Sequence, residues 1–158
     1  MESIVRLASL KISNIKNVKN GQIVMPNAAR KQLSCKNAEI LGIYGQNGSG
    51  KTAVVDTLHY LQKIMIGSPL GEDFVDYIDV EEEQAEIAAD FLIFAESVIY
   101  EVGYKLVLQR KERRGEITRE TLSCAIHKGE SRSNKIVFMD YQCSDRETVF
   151  SPKKRLDE

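Results

Sequence analysis

Eight consecutive residues constrain this chain more than anything else in it: Gly45, Gln46, Asn47, Gly48, Ser49, Gly50, Lys51 and Thr52. They spell G-x-x-x-x-G-K-T, a phosphate-binding loop or P-loop. Gly45, Gly48 and Gly50 carry no Cβ, so the backbone can wrap tightly and approach phosphate closely. Successive backbone N–H groups then point inward as an anion-binding nest. Lys51 supplies a point charge for the β- and γ-phosphates, and the Thr52 hydroxyl supplies a ligand for Mg²⁺. A helix opening at this point adds the positive end of its dipole.

The motif needs a strand before it and a helix after it. Ile40, Leu41, Gly42, Ile43 and Tyr44 form a short apolar run that stops at Gly45, read here as the strand. Val54, Leu58, Leu61 and Met65 recur at helical spacing, and Gly67 and Pro69 then stop the helix. Strand, loop and helix are therefore expected over about residues 40–66, with nucleoside triphosphate binding as their purpose. The alternative is a glycine-rich turn with a chance lysine.

The 158 residues suffice for one domain with a core, and 42% hydrophobic with 28% charged content is ordinary for a globular protein. A formal net charge of −1 gives no global attraction to nucleic acid. No run of eighteen apolar residues is present, so no membrane span is expected, and the first residues lack the apolar stretch of a signal peptide. Cys35, Cys124 and Cys143 are widely spaced, which suits reduced thiols and a cytoplasmic location better than a disulfide framework.

Before the loop, residues 5–15 read as a strand in which Ala8, Leu10 and Ile12 alternate with Leu7, Ser9 and Lys11. Asn20 and Gly21 predict a turn, with a second strand from Gln22 to Met25. Residues 27–38 read as a polar connection. After the helix, residues 68–96 hold ten acids and no Lys or Arg. They read as a solvated loop and strand surface, or as an acidic face for a basic partner.

An antiparallel meander follows. Ile87, Ala89, Phe91 and Ile93 share one face against Glu86 and Asp90. Tyr100, Val102, Tyr104, Leu106 and Leu108 share another against Glu101, Lys105 and Gln109. Ala95, Glu96 and Ser97 fit a hairpin loop between them. A third strand is expected over residues 117–126 and a fourth over residues 135–139. Lys105, Arg110, Lys111, Arg113, Arg114 and Arg119 cluster on one hairpin, either as a solvated tip or as a phosphate-backbone contact. Lys153, Lys154 and Arg155 read as a solvated end. His59 and His127 have no ligand-spaced partners and read as ordinary residues.

The loop sequence, with Asn47-Gly48-Ser49-Gly50-Lys51-Thr52, resembles that of ABC-type ATPases of the soluble SMC-, RecF- and OLD-like branch. Leu10-Lys11-Ile12-Ser13-Asn14-Ile15-Lys16 is similar to the first strand of that branch, with Ile15 and Lys16 where Phe-Arg is commoner. Tyr100, Tyr104 and the Ile117–Leu122 segment resemble its antiparallel β-layer. The likeness covers most of residues 5–140. It implies an α/β P-loop fold, with a mixed core sheet beside an antiparallel β-meander over about residues 86–140. It also implies ATP and Mg²⁺ as cofactors, Lys16 as a candidate nucleotide contact, and Gln142 as a candidate Mg²⁺-sensing glutamine.

Residues 136–140 have the form of a Walker B strand ending at Asp140, but Tyr141 stands where the catalytic glutamate belongs. Asp140 is therefore either a plain strand end or a Mg²⁺ partner. No LSGGQ-like signature or switch histidine is recognisable. The chain is accordingly expected to be the N-terminal lobe of an ATPase whose active site a second half completes. That half would come from a homodimer or a partner ATPase segment, with DNA or an effector protein as a further partner. DNA maintenance or phage defence is the process the resemblance implies. Two other classes compete: a small P-loop kinase, and a non-hydrolysing nucleotide-binding regulatory subunit.

Overall fold

The computed structural model describes residues 3–28, 33–34, 38–96, 98–112, 114–129 and 131–143, together with the backbone of Thr148–Phe150. Cys35, Ser97, Arg113 and the Lys153, Lys154, Arg155 segment lie outside the described residues.

Eight strands make one sheet: β1 (Ile4–Ile15), β2 (Val18–Val24), β3 (Gln84–Ala95), β4 (Val98–Lys111), β5 (Arg114–Lys128), β6 (Ser131–Arg132), β7 (Ile136–Cys143) and β8 (Thr148–Phe150). The order is β2-β1-β3-β4-β5-β7-β8, with β6 also on β5. Every pairing is antiparallel. The α-helix α1 (Lys51–Met65) and a short 3₁₀ turn, Glu72–Tyr77, lie between β2 and β3 in the chain.

This corrects the expected α/β P-loop fold with its mixed sheet. Residues 40–44 form no strand. A parallel strand is stable only with ladder partners beside it and cover on both faces. The described residues offer this run neither, so Ile40 and Tyr44 stand 91% and 94% exposed. The expected antiparallel meander, by contrast, is present as β3, β4, β5 and β7 and joins directly onto β1.

Leu10 and Ile12 are buried in the core as the alternation predicts, but a register shift between Leu7 and Ser9 breaks it: Leu7 packs against the core, and Ala8, though buried, lies with Ser9 and Leu92 on the cleft. The expected Asn20-Gly21 turn does not form. The chain reverses at Lys16 and Asn17, because Ile15 pairs with Val18 and Gly21 sits opposite Ile12 inside β2. That register keeps Ile12 and Ile15 in the core. A Cβ on Gly21 would lie 3.1 Å from Val18 and 3.2 Å from Ile12, so the glycine serves packing rather than turning.

The core lies on one face of the sheet. Leu10, Ile12 and Ile15 of β1, Ala85 and Ile87 of β3, and Leu106 and Leu108 of β4 face Ala53, Tyr60 and Leu61 of α1 and Phe74 of the 3₁₀ turn. Each large apolar side chain buried here contributes about 1.5–3 kcal/mol. On α1 the buried stripe is Ala53, Thr57, Tyr60 and Leu61, whereas Met65 of the expected apolar face is exposed. Tyr60 is central: its ring lies 5.3 Å from Phe74 and 4.0 Å from Tyr77, and its hydroxyl donates to Asp73 at 2.9 Å. Burial first, and the Asp73 carboxylate second, push its phenol pKa upward.

Half of the ten acids of the acidic stretch form ion pairs with described residues of the fold, Asp90 with Lys135 among them. Lys19 reaches Asp79, Glu81 and Glu82 at 3.2–3.3 Å, and Lys105 reaches Glu86 at 2.8 Å. The basic hairpin is likewise engaged internally. Arg110 donates to the Ile78 carbonyl at 2.7 Å, Lys111 pairs with Glu116 at 3.1 Å, and Arg119 pairs with Asp140 at 2.7 Å.

Candidate functional site

Residues 45–52 run as an irregular loop into the first turn of α1. Gly48 and Gly50 have φ of 82° and 87°, a left-handed backbone that suits glycine. A Cβ on Gly45 would sit 2.7 Å from the Ser49 hydroxyl, a contact that rotation of the serine relieves. The loop is pinched by a Ser49 N–H to Gln46 carbonyl hydrogen bond of 3.2 Å. Gly48 and Gly50 therefore stand where the backbone requires glycine.

The start of α1 is bare. Its N-cap is Gly50, no side chain caps the free N–H groups, and no acid lies in the first turn. Such a helix start offers backbone donors and a positive dipole end to an anion. Lys51 folds back over the loop, donating to the carbonyls of Gly45 at 2.7 Å and Gln46 at 2.6 Å and to the Ser49 hydroxyl at 3.2 Å. The ammonium is thus held at the loop by neutral oxygens that phosphate oxygens can replace. Thr52, in the first turn of the helix, is exposed. The helix the motif needs is present and the strand before it is not; the glycine loop, uncapped helix start, Lys51 ammonium and exposed Thr52 hydroxyl are the features that meet a nucleotide phosphate chain with its metal. Phosphate would be held by Lys51 and the loop N–H groups, and Thr52 would ligate Mg²⁺.

The turn between β1 and β2 grips this loop. Asn17 donates its side-chain N–H to the Gly48 carbonyl, and Val18 packs so close to Gly50 that no Cβ fits there. Lys16 pairs with Asp56 on α1 at 2.5 Å, and its ammonium lies 4.6 Å from the Tyr77 ring centroid. The Asp56 hydrogen bond raises the Lys16 pKa. Lys16 therefore sits beside α1, with its charge engaged by Asp56 and Tyr77. Sequence reasoning missed Asn17, Val18, Asp56 and Tyr60. None carries a motif, and the displaced turn hid the first two.

Gln142 and Asp140 are placed elsewhere. Both are on β7, and β3, β4 and β5 separate that strand from β1. This is roughly 19 Å across the ladder at about 4.8 Å per step. Asp140 lies within the strand rather than at its end, and receives two bonds from Arg119 at 2.9 and 2.7 Å and one from Thr121 at 3.2 Å. Gln142 faces Arg119 and Val149 in register. The fold thus does not bring either residue to Thr52. Among the described residues no group of three or more His, Cys, Asp or Glu is placed to hold a metal, and no helix is long and apolar enough to cross a membrane.

A second polar cluster lines a cleft of about 480 Å³ walled by Ser9, Leu92, Glu101 and His127. Glu101 accepts from Arg132 at 2.9 Å through both oxygens and contacts His127 at 3.1 Å. Asp90 accepts from Ser9 and Lys135, each at 2.9 Å. The charges there satisfy one another, as in a structural network.

Neither the known protein-family models nor the curated proteins yield a match to this chain.

Proposed function

We propose that this chain binds ATP with Mg²⁺ through residues 45–52. The observation that carries the proposal is the uncapped start of α1, which a glycine-rich loop of left-handed backbone leads into and the Lys51 ammonium overhangs. ATP rather than GTP follows from the resemblance, since no N-K-x-D motif for guanine occurs.

Turnover in this account requires groups from a partner chain or segment. Asp140, the only acid with a Walker B setting in the sequence, is engaged by Arg119 on the far strands. Ile40, Leu41, Ile43 and Tyr44 are exposed immediately before the loop, which suits a face that a partner covers. Head-to-head closure on ATP, in DNA maintenance or phage defence, is the process taken from the resemblance. The same bound Asp140 also suits a second reading, a regulatory subunit that binds nucleotide and leaves hydrolysis to others.

Calorimetric titration of the chain with ATP, with and without Mg²⁺, tests the proposal. Lys51→Ala should abolish binding, and Thr52→Ala should remove most of the Mg²⁺ dependence. Equal affinity in the wild type and Lys51→Ala would remove the P-loop from the account.

A further inference from the structure

We infer that Asn17 is a positioning residue for nucleotide binding: through the β1–β2 turn it sets the conformation of the phosphate loop. The inference rests on the ATP-binding reading of residues 45–52 and adds to it a residue that no motif marks.

Three contacts carry it, all from one turn. Asn17 donates to the Gly48 carbonyl, Val18 packs on Gly50, and Lys16 pairs with Asp56 at 2.5 Å on the helix that the loop opens. The turn is itself fixed. Lys16 has a φ of 51°, and its N–H donates to the Tyr77 carbonyl at 2.8 Å. Ile15 beside it is buried and bridged to Ile78. A turn anchored at its base to the core therefore touches the loop at Gly48 and Gly50 and touches α1 at Asp56.

The peptide geometry gives the consequence. A peptide unit is planar and trans, so the N–H of Ser49 points opposite to the carbonyl of Gly48. Holding that carbonyl on Asn17 fixes the direction of the Ser49 N–H, which faces Gln46 within the loop. Gly48 and Gly50 are the positions whose backbone is otherwise freest to rotate. The latch removes that freedom before a phosphate arrives, so less ordering entropy opposes binding. Without the amide donor the loop keeps its glycines and Lys51 but loses the restraint between them.

The experiment titrates ATP with Mg²⁺ into the wild type, Asn17→Ala, Asn17→Asp, Asn17→Gln and Lys51→Ala, with the unliganded melting temperature of each. Losing one neutral hydrogen bond corresponds to about a 3- to 10-fold loss of affinity, expected in Asn17→Ala. Asn17→Asp keeps the shape, loses the donor and sets a negative charge near the anion, so its loss should exceed about 10-fold. Asn17→Gln keeps the donor and should stay within about 3-fold of the wild type. Melting temperatures should be unchanged, because the side chain is exposed.

Wild-type affinity in Asn17→Asp overturns the latch while leaving the P-loop reading intact. So does a loss in Asn17→Gln equal to that in Asn17→Asp. Failure of the wild type to bind ATP removes the functional reading, and the latch with it.

Discussion

Lys16 on the β1–β2 turn and Asp56 on α1 form an ion pair of 2.5 Å, with the Lys16 ammonium also over the Tyr77 ring. One side chain thereby ties the first hairpin, α1 and the 3₁₀ turn together. The folded state raises the Lys16 pKa through Asp56 from its ordinary 10.5. The pair's stabilisation is therefore complete below that ordinary value and is lost as pH rises through the higher folded one. Both side chains are partly exposed, so solvent screening limits the pair to about 0.5–1 kcal/mol. Lys16→Met, which keeps the apolar stem, should lower the melting temperature by about 1–4 °C at pH 7. The gap should narrow as pH rises above the ordinary 10.5, and in molar salt. A gap insensitive to both conditions would show that the charge is not what stabilises.

Glu101 tests the second cluster. The Arg132 guanidinium, and then His127, hold its carboxyl at about 2 against an ordinary 4.5. Stability from this group is present above the ordinary value and is lost as pH falls through the folded one. Glu101→Gln should cost about 1–2 kcal/mol at pH 7 in urea unfolding. That cost should shrink steadily as pH falls below 4.5. A cost that stays constant between pH 4.5 and the acid limit would contradict the assigned network.

Tyr60 joins α1 to the 3₁₀ turn by packing and by one hydrogen bond. Tyr60→Phe removes the bond to Asp73 and keeps the ring, so it should destabilise by about 1 kcal/mol. Tyr60→Ala also removes the contacts with Phe74 and Tyr77, and should cost about 3–5 kcal/mol. Equal effects in denaturant titrations would mean the ring contacts contribute little.

Asp140 and Gln142 should be irrelevant to ATP affinity. Both lie on β7, beyond three strands from β1. Asp140→Asn and Gln142→Ala should each leave the dissociation constant for ATP with Mg²⁺ within about twofold of the wild type, because distant sites act independently. A tenfold loss in either would mean that β7 reaches the phosphate site.

Local patterns were legible in the sequence; long-range pairing was less so. The alternation of Leu10 and Ile12, and of Ile87 and Ala89, marks one buried face, and those residues are buried there; the bulge that moves Ala8 off that face is not visible in the pattern. The spacing of Val54, Leu58 and Leu61, ended by Gly67 and Pro69, marks α1. Residues 40–44 misled because an apolar run specifies the wish for burial but not the partner that provides it. Asn20 and Gly21 misled because their turn preference, though strong locally, lost to the register that buries Ile12 and Ile15. The reversals instead place Lys16, Glu96 and Glu112 at φ of 51°, 53° and 51°, a conformation that these residue types do not advertise. Within the candidate site, the glycines, Lys51 and Thr52 were visible because chemistry fixes their spacing. Asn17 and Val18 were not, because their role depends on where a turn falls in space.

The most direct test of the central claim is Mg²⁺-dependent ATP binding and turnover measured on this 158-residue chain, with Lys51→Ala beside it. Binding that Lys51→Ala abolishes, with no turnover by the chain alone, is the expected result. Binding that survives Lys51→Ala, or hydrolysis by the isolated chain, would contradict it.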